Sequence, residues 1–143
     1  MERVKFMIQA MFAFVGGAAA HFLGGCDAML KALLLLIAID YITGMLVALV
    51  FKKSRKTASG GASSIIGFKG IVKKMCEIAI VGVAVCLDDV MKSDYIRSLA
   101  IMFFIANEGL SILENAGLMG VKYPKKLKQM LDVLKKDGDD NGE

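Results

Sequence analysis

The feature that most constrains this chain is a run of twenty residues between Lys31 and Lys52 whose only formal charge is Asp40. An α-helix of this length rises roughly 30 Å, which matches the hydrocarbon core of a bilayer. The run therefore predicts a transmembrane helix at residues 32–51. Asp40 then lies near mid-membrane, where a carboxylate is costly unless it faces a partner helix or a water-filled cavity.

The composition agrees with a membrane protein. Hydrophobic residues make up 56% of the 143 residues, the mean hydropathy is +0.58, and there is one proline. A formal net charge of +4 is compatible with nucleic-acid binding. However, the basic residues lie in blocks beside apolar runs and lack aromatic interleaving, so no nucleic-acid partner is expected.

The sequence offers little for catalysis. The single histidine rules out a histidine cluster, and no nucleophile and base stand at a useful spacing. The glycines at 60–70 lack the Lys-Ser or Lys-Thr ending of a phosphate-binding loop, and no metal-ligand spacing is present. We therefore predict that the chain is not an enzyme, with no catalytic residue, metal or cofactor.

Three further apolar runs predict spans at residues 4–23, 71–88 and 95–113. The first is open to a second interpretation, because its basic start and the small residues at 18–20 also fit a cleaved signal peptide. We favour a span. The fold class predicted is an all-α integral membrane protein with four transmembrane helices, or three if the first segment is cleaved or lies on the membrane surface.

The distribution of basic residues predicts the orientation. Seven Lys and Arg lie in the basic loop, residues 52–74, and six follow Glu114, against two at the start and three in the other connections. The positive-inside rule then places both termini and the basic loop in the cytoplasm. Three lysines of this loop are expected to anchor it to anionic lipid: Lys69, Lys73 and Lys74.

The region after the last span reads as a surface helix. Residues 124–136 begin with a proline, repeat apolar residues at helical spacing and carry several lysines. This pattern predicts an amphipathic helix resting on the inner leaflet. We expect residues 1–136 to form a single helical membrane domain and residues 137–143 to form a disordered acidic tail.

Two polar stripes are the candidate functional residues. Asp40, Thr43 and Gly44 share one face of the second span, and Ala48 extends a groove in which another helix can approach. A second polar face recurs on the last span: Asn107, Glu108, Ser111, Glu114 and Asn115. Such stripes indicate packing within the chain, an oligomer seam, a pore lining or an ion relay.

Three stretches carry a resemblance: DYITG at 40–44, SSIIGFKGIVKK at 63–74, and NEGLSILENAGLMGVKYPKKL at 107–127. In their order and spacing, over about residues 28–136, the chain resembles phage holins of the toxin-secretion and phage-lysis family, which includes clostridial holin-like toxin exporters.

The resemblance implies a protein of the bacterial cytoplasmic membrane that self-associates and opens lesions, releasing an endolysin or a toxin. Its partners would be copies of itself, membrane lipids and a cell-wall hydrolase or toxin. The Asp40 stripe would form the seam, and the Asn107 stripe the polar face. A small ion or proton channel and an antiholin-type regulator are the alternatives.

Overall fold

The computed structural model describes residues 1–140, and within them it contains five α-helices and no strand. The helices are α1 (Glu2–Phe22), α2 (Ala28–Leu49), α3 (Ser64–Met91), α4 (Ile96–Leu118) and α5 (Lys125–Asp140). The predicted all-α class is confirmed. Three of these helices, α1, α2 and α4, are long and apolar enough to cross a membrane.

Helix α3 differs from the other long helices. The predicted span 71–88 lies inside it, but α3 is a single helix of 28 residues that also includes the segment before residue 71. It does not qualify as a span by length and composition. The reason is its charge, because Lys73, Lys74 and Glu77 fall within the predicted span.

Two carboxylates define where helices begin. Asp27 precedes α2, and its Oδ1 accepts a hydrogen bond from the Leu30 N–H at 2.9 Å, so α2 starts four residues before the predicted boundary. Asp88, near the end of α3, accepts hydrogen bonds from the N–H groups of Ile96 at 3.0 Å and Arg97 at 2.8 Å. The end of α3 thus caps the start of α4.

These contacts establish the helix directions. Arg97, in the first turn of α4, pairs with Asp27 at the start of α2, with 2.7 Å between Nη1 and Oδ2. Helices α2 and α4 are therefore parallel, and α3 is antiparallel to both. Most of the packing is of α4 against α2, α3 and α5, whereas α2 and α3 touch little.

The apolar core occupies the end of the bundle near Arg97. It is formed by early residues of α2 and α4, late residues of α3 and the residue after α1: Leu30, Leu33, Ile101, Phe104, Val81 and Leu23. This half contains aliphatic and aromatic side chains that pack together, and van der Waals contacts of this kind hold helices together in lipid. The polar residues Asp40, Lys74 and Glu108, described below, lie in the other half.

Helix α1 is attached at one end. None of its residues is buried. Its last residue, Phe22, packs on Gly82 of α3, where a Cβ would overlap the phenyl ring. Leu23 follows directly and is 6% exposed. The remainder of α1 presents its apolar side chains outward, as a lipid-facing helix would.

Helix α5 folds back on α4. Leu131 lies against Gly109, where an added Cβ would be 3.0 Å from Leu131 Cδ1. Leu127, Met130 and Val133 of α5 remain exposed. The helix extends to Asp140, so residues 137–140 prolong α5 where a disordered tail was expected. The rest of that predicted tail, residues 141–143, lies outside the described residues.

Candidate functional site

The centre of the site is Lys74, which joins three helices. Its Nζ lies 2.8 Å from Asp40 Oδ2 on α2 and also contacts Glu108 Oε2 on α4. The side chains of Lys74, Asp40 and Glu108 are only 14%, 9% and 1% exposed. We call these three residues the ion cluster. A single ammonium therefore serves two carboxylates from different helices.

The Asn115 amide and the Thr43 hydroxyl donate further hydrogen bonds to Asp40, the first to its carboxylate and the second to its main-chain carbonyl. Asn115 Nδ2 donates to Asp40 Oδ1 at 3.2 Å and to Thr43 Oγ1 at 3.1 Å. The Thr43 hydroxyl donates to the Asp40 carbonyl at 3.0 Å. A Cβ on Gly44 would be 3.7 Å from Asn115 Nδ2, so the small residue brings α2 and α4 close here. The two polar stripes thus meet each other within one chain.

The ion cluster lies at the middle of both apolar helices. Asp40 follows Ala28 by twelve residues, and Glu108 follows Ile96 by twelve residues, each roughly 18 Å along its helix. Because α2 and α4 are parallel, both carboxylates lie at one depth. At such a depth each charge alone would be costly, and mutual pairing reduces that cost.

A cavity of about 620 Å³ adjoins the ion cluster. At one end it is lined by Asp40, Lys74 and Glu108, and at the other by Arg55 and Lys56 from the loop after α2. Asn107, Ser111 and Glu114 line it as well. The cavity thus connects the basic loop with the ion cluster, and the apolar core lies beyond the cluster.

A second polar cluster lies at the opposite end of the bundle. Arg97 Nε donates to the Leu23 carbonyl at 2.6 Å, Nη2 donates to the Gly25 carbonyl at 3.0 Å, and Nη1 pairs with Asp27. We call this set the Arg97 clasp. Hydrogen bonds from Arg97, and then from the Leu30 N–H, lower the pKa of Asp27 to about 2.

The clasp also explains one glycine. Gly24 has a φ of +75°, and a Cβ there would be 2.9 Å from Arg97 Cδ. A larger residue would be strained in the backbone and would displace the guanidinium. The turn between α1 and α2 is therefore shaped around Arg97.

Comparison with known proteins now decides the family. The model of the bacteriophage holin family matches residues 17–136. The chain belongs to the bacteriophage holin family. The match covers α2, α3 and α4 completely, together with the end of α1 and most of α5. The predicted resemblance is confirmed, and the holin is a multi-pass protein of the cytoplasmic membrane.

Relatives of this holin come from a phage and from bacteria. A probable holin of Bacillus phage phi105 is 36% identical over 126 residues, which are 87% of this chain and 87% of the phage protein. An uncharacterized protein of Halalkalibacterium halodurans is 38% identical over 132 residues, covering 87% and 92% of the two chains. An uncharacterized 14.9 kDa protein of Clostridium perfringens is 36% identical over 136 residues, covering 94% and 97%. No solved structure matches the chain.

The structure brings most of the predicted site residues of this holin together. Asp40, Thr43 and Gly44 lie against Asn115, and Lys74 joins Asp40 to Glu108. The other members of the two stripes line the cavity: Ala48, Asn107, Ser111 and Glu114. The two sets are therefore opposite walls of one site.

The three lysines predicted to anchor the loop separate into two groups. Lys69 and Lys73 are exposed. Lys74 instead turns inward, one position further along α3, and pairs with Asp40 and Glu108. The structure thus assigns Lys74 to the ion cluster, where two carboxylates replace the lipid phosphates that the anchoring hypothesis invoked.

One buried carboxylate was not among the predicted site residues. Glu77 is 3% exposed, and neither of its carboxylate oxygens has a hydrogen-bond partner. It lies three residues after Lys74 and therefore on the same face of α3. That i, i+3 spacing was the available signal. Within the described residues, no group of three or more His, Cys, Asp or Glu is placed to hold a metal ion.

Proposed function

We propose that this holin-family chain accumulates in the cytoplasmic membrane, self-associates and opens lesions through which a cell-wall hydrolase leaves the cell. A secreted toxin is the alternative cargo. The observation that supports the proposal is the inward-facing polar site, in which Lys74 pairs with Asp40 and Glu108 at mid-membrane. A chain built in this way buries the carboxylates of Asp40 and Glu108 while it is alone and can present them when helices separate.

In the proposed topology the membrane is crossed four times, by the three apolar helices α1, α2 and α4 and also by α3. Asp88 at one end of α3 contacts the start of α4, and the other end of α3 follows the connection of residues 50–63. Helix α3 therefore runs the length of the two apolar helices beside it. Lys74 and Glu77 are turned toward the bundle, which supports a crossing despite its charges.

We place both termini and the basic loop in the cytoplasm, with residues 1–136 as one membrane domain. The excess of Lys and Arg in the basic loop and after Glu114 supports this orientation. Exposed Lys69 and Lys73 are suited to bind anionic lipid. Helix α5 lies alongside α4, with Leu131 against Gly109, so its exposed apolar side chains are suited to contact acyl chains and not to rest on the surface of the inner leaflet.

The proposed opening step is displacement of α3. Helix α3 packs mainly on α4 and touches α2 little, so its departure breaks the Lys74 pairs and leaves the α2–α4 contact in place. The carboxylates of Asp40 and Glu108 then become accessible, whereas Thr43 and Gly44 stay packed against Asn115 of α4. Neighbouring copies that present the same groups can surround water, which solvates the charges that α3 had neutralised.

The test of the function is release of a folded protein. The chain is expressed from an inducible promoter in a bacterium whose cell wall has been weakened and which carries a cytoplasmic reporter enzyme. Induction is expected to release the active enzyme into the medium. A small ion channel would collapse ion gradients without releasing the enzyme. An antiholin-type regulator would associate without any leak, and either result would contradict the proposal.

Replacing Asp40 with leucine is expected to preserve membrane insertion but change the oligomer size or the time at which the reporter is released. The reason is that Lys74 keeps only Glu108 as a counter-ion, and α2 gains an apolar residue at its centre. Cross-linking and release timing are the measurements. Ala38→Leu, at an exposed position on the same helix, is the control. Unchanged timing and oligomer size would argue against a role for Asp40 at the seam.

A further inference from the structure

We propose that the cavity beside the ion cluster binds the headgroup of an anionic phospholipid whose polar end is uncharged and hydroxylated, as in phosphatidylglycerol. The cavity volume of about 620 Å³ lies within the usual range for ligand sites. The inference depends on the membrane location of the holin and not on lesion formation. It assigns an occupant to a site that the proposed function leaves empty.

The charge of the lining favours an anion. Four basic residues line the cavity, Arg55, Lys56, Lys73 and Lys74, against the three acidic residues Asp40, Glu108 and Glu114. Lys74 is already shared by two of those carboxylates. The remaining basic groups lie toward the loop after α2, and a phosphodiester there balances the single excess positive charge.

The inner wall favours hydroxyl groups on the ligand. Glu108 lines the cavity, is fully buried, and has an Oε1 atom without a hydrogen-bond partner. Asn107 and Ser111 on the same helix add further acceptors. Glycerol hydroxyls can donate to these groups without adding charge. An ammonium headgroup would also donate, but a zwitterionic lipid carries no net charge and leaves the single excess positive charge of the whole lining unbalanced.

The cavity has a route for acyl chains. Phe68 and Ile71 line it and are also 66% and 43% exposed, so its wall continues onto the lipid-facing surface of α3. Helices α2 and α3 touch little beside it, which leaves a lateral opening. Basic pockets between transmembrane helices on the cytoplasmic side are established sites for anionic headgroups.

The experiment uses the full chain in neutral detergent, titrated with short-chain phosphatidylglycerol, phosphatidylethanolamine or phosphatidylcholine. Phosphatidylglycerol is expected to raise the midpoint of thermal unfolding saturably and more than the other two lipids. The double variant Arg55→Gln and Lys56→Gln is expected to weaken this apparent affinity at least tenfold. Native mass spectrometry is expected to show one retained lipid per chain.

The matched control is Lys52→Gln with Lys53→Gln, which removes the same charge from the same loop but changes residues that do not line the cavity. It is expected to retain the phosphatidylglycerol effect. Equal losses in the two double variants would mean diffuse surface attraction and would overturn the proposal. So would an equal effect of phosphatidylethanolamine, or reproduction of the full effect by glycerol phosphate, which would identify a soluble anion as the ligand.

The readout separates this proposal from the proposed function. Lipid binding in detergent is measured without any lesion, and reporter release in cells is measured without knowledge of the lipid. If the chain releases the reporter but shows no preference for phosphatidylglycerol, only the proposal of a lipid site is overturned. If the chain binds the lipid but releases no reporter, only the proposal of lesion formation is overturned.

Discussion

Replacement of Lys74 by methionine is expected to destabilise the packing of α3 on the bundle by about 3–5 kcal/mol, the usual effect of removing one partner from a buried ion pair. The substitution leaves Asp40 and Glu108 without a cation, and their side chains are 9% and 1% exposed. Methionine fills a similar volume, so the lost charge dominates the effect. Denaturant unfolding in detergent, followed by circular dichroism, measures the change.

Two further variants make the result specific to the ion cluster. Lys69→Met removes a lysine from an exposed position on the same helix and is expected to change stability by less than about 1 kcal/mol. Adding Asp40→Asn and Glu108→Gln to Lys74→Met removes the stranded charges and is expected to recover most of the loss. If Lys74→Met is as stable as Lys69→Met, or if the triple variant is weaker still, the ion cluster does not hold α3.

Replacement of Arg97 by glutamine is the second large effect and is expected to cost roughly 2–3 kcal/mol. The guanidinium holds the Leu23 and Gly25 carbonyls and the Asp27 carboxylate at once, and its side chain is 12% exposed. Glutamine cannot reach all three partners. Arg97→Lys keeps the charge but loses the planar guanidinium, so its stability is expected to lie between those of the wild type and Arg97→Gln.

The clasp also has a defined pH dependence. The pKa of Asp27 is lowered from 3.8 to about 2, so its contribution to stability is present above about pH 4 and is lost as the pH falls toward 2. The free energy of unfolding of the Arg97→Gln variant is expected to fall less than that of the wild type over this pH range. Lys31→Gln, exposed in the first turn of α2, is the control. An equally steep acid loss in wild type and Arg97→Gln would contradict the assignment.

The sequence predicts the elements well where the signal is local. The apolar run around Asp40 locates α2, and the missed first turn is explained by Asp27, whose capping role depends on a single side chain. The span predicted at residues 71–88 lies inside a longer helix that begins at Ser64, because a change from amphipathic to apolar character does not interrupt backbone hydrogen bonding. Lipid and bundle contacts can change along one continuous helix.

The site was predicted in parts but not in its assembly. Each polar stripe follows from helical spacing, whereas their mutual contact follows from the parallel directions of α2 and α4, which no local pattern encodes. Lys74 shows what the sequence does not reveal. Lys73 and Lys74 are neighbours in similar sequence surroundings, yet Lys73 is exposed and Lys74 pairs with carboxylates inside the bundle. Arg97 contacts partners seventy or more residues earlier in the chain, so no local sequence motif indicates its role.

The attachment of α1 by one end has an evolutionary consequence. Residues 2–19 are exposed and leave the apolar core, the ion cluster and the clasp untouched. Mutations there are filtered by the requirements of lipid solubility and translocation, and hardly by complementarity to neighbouring side chains. Recombination can therefore exchange this leading segment for another apolar helix in one event, provided that the junction preserves Phe22, Leu23 and the glycine turn into α2.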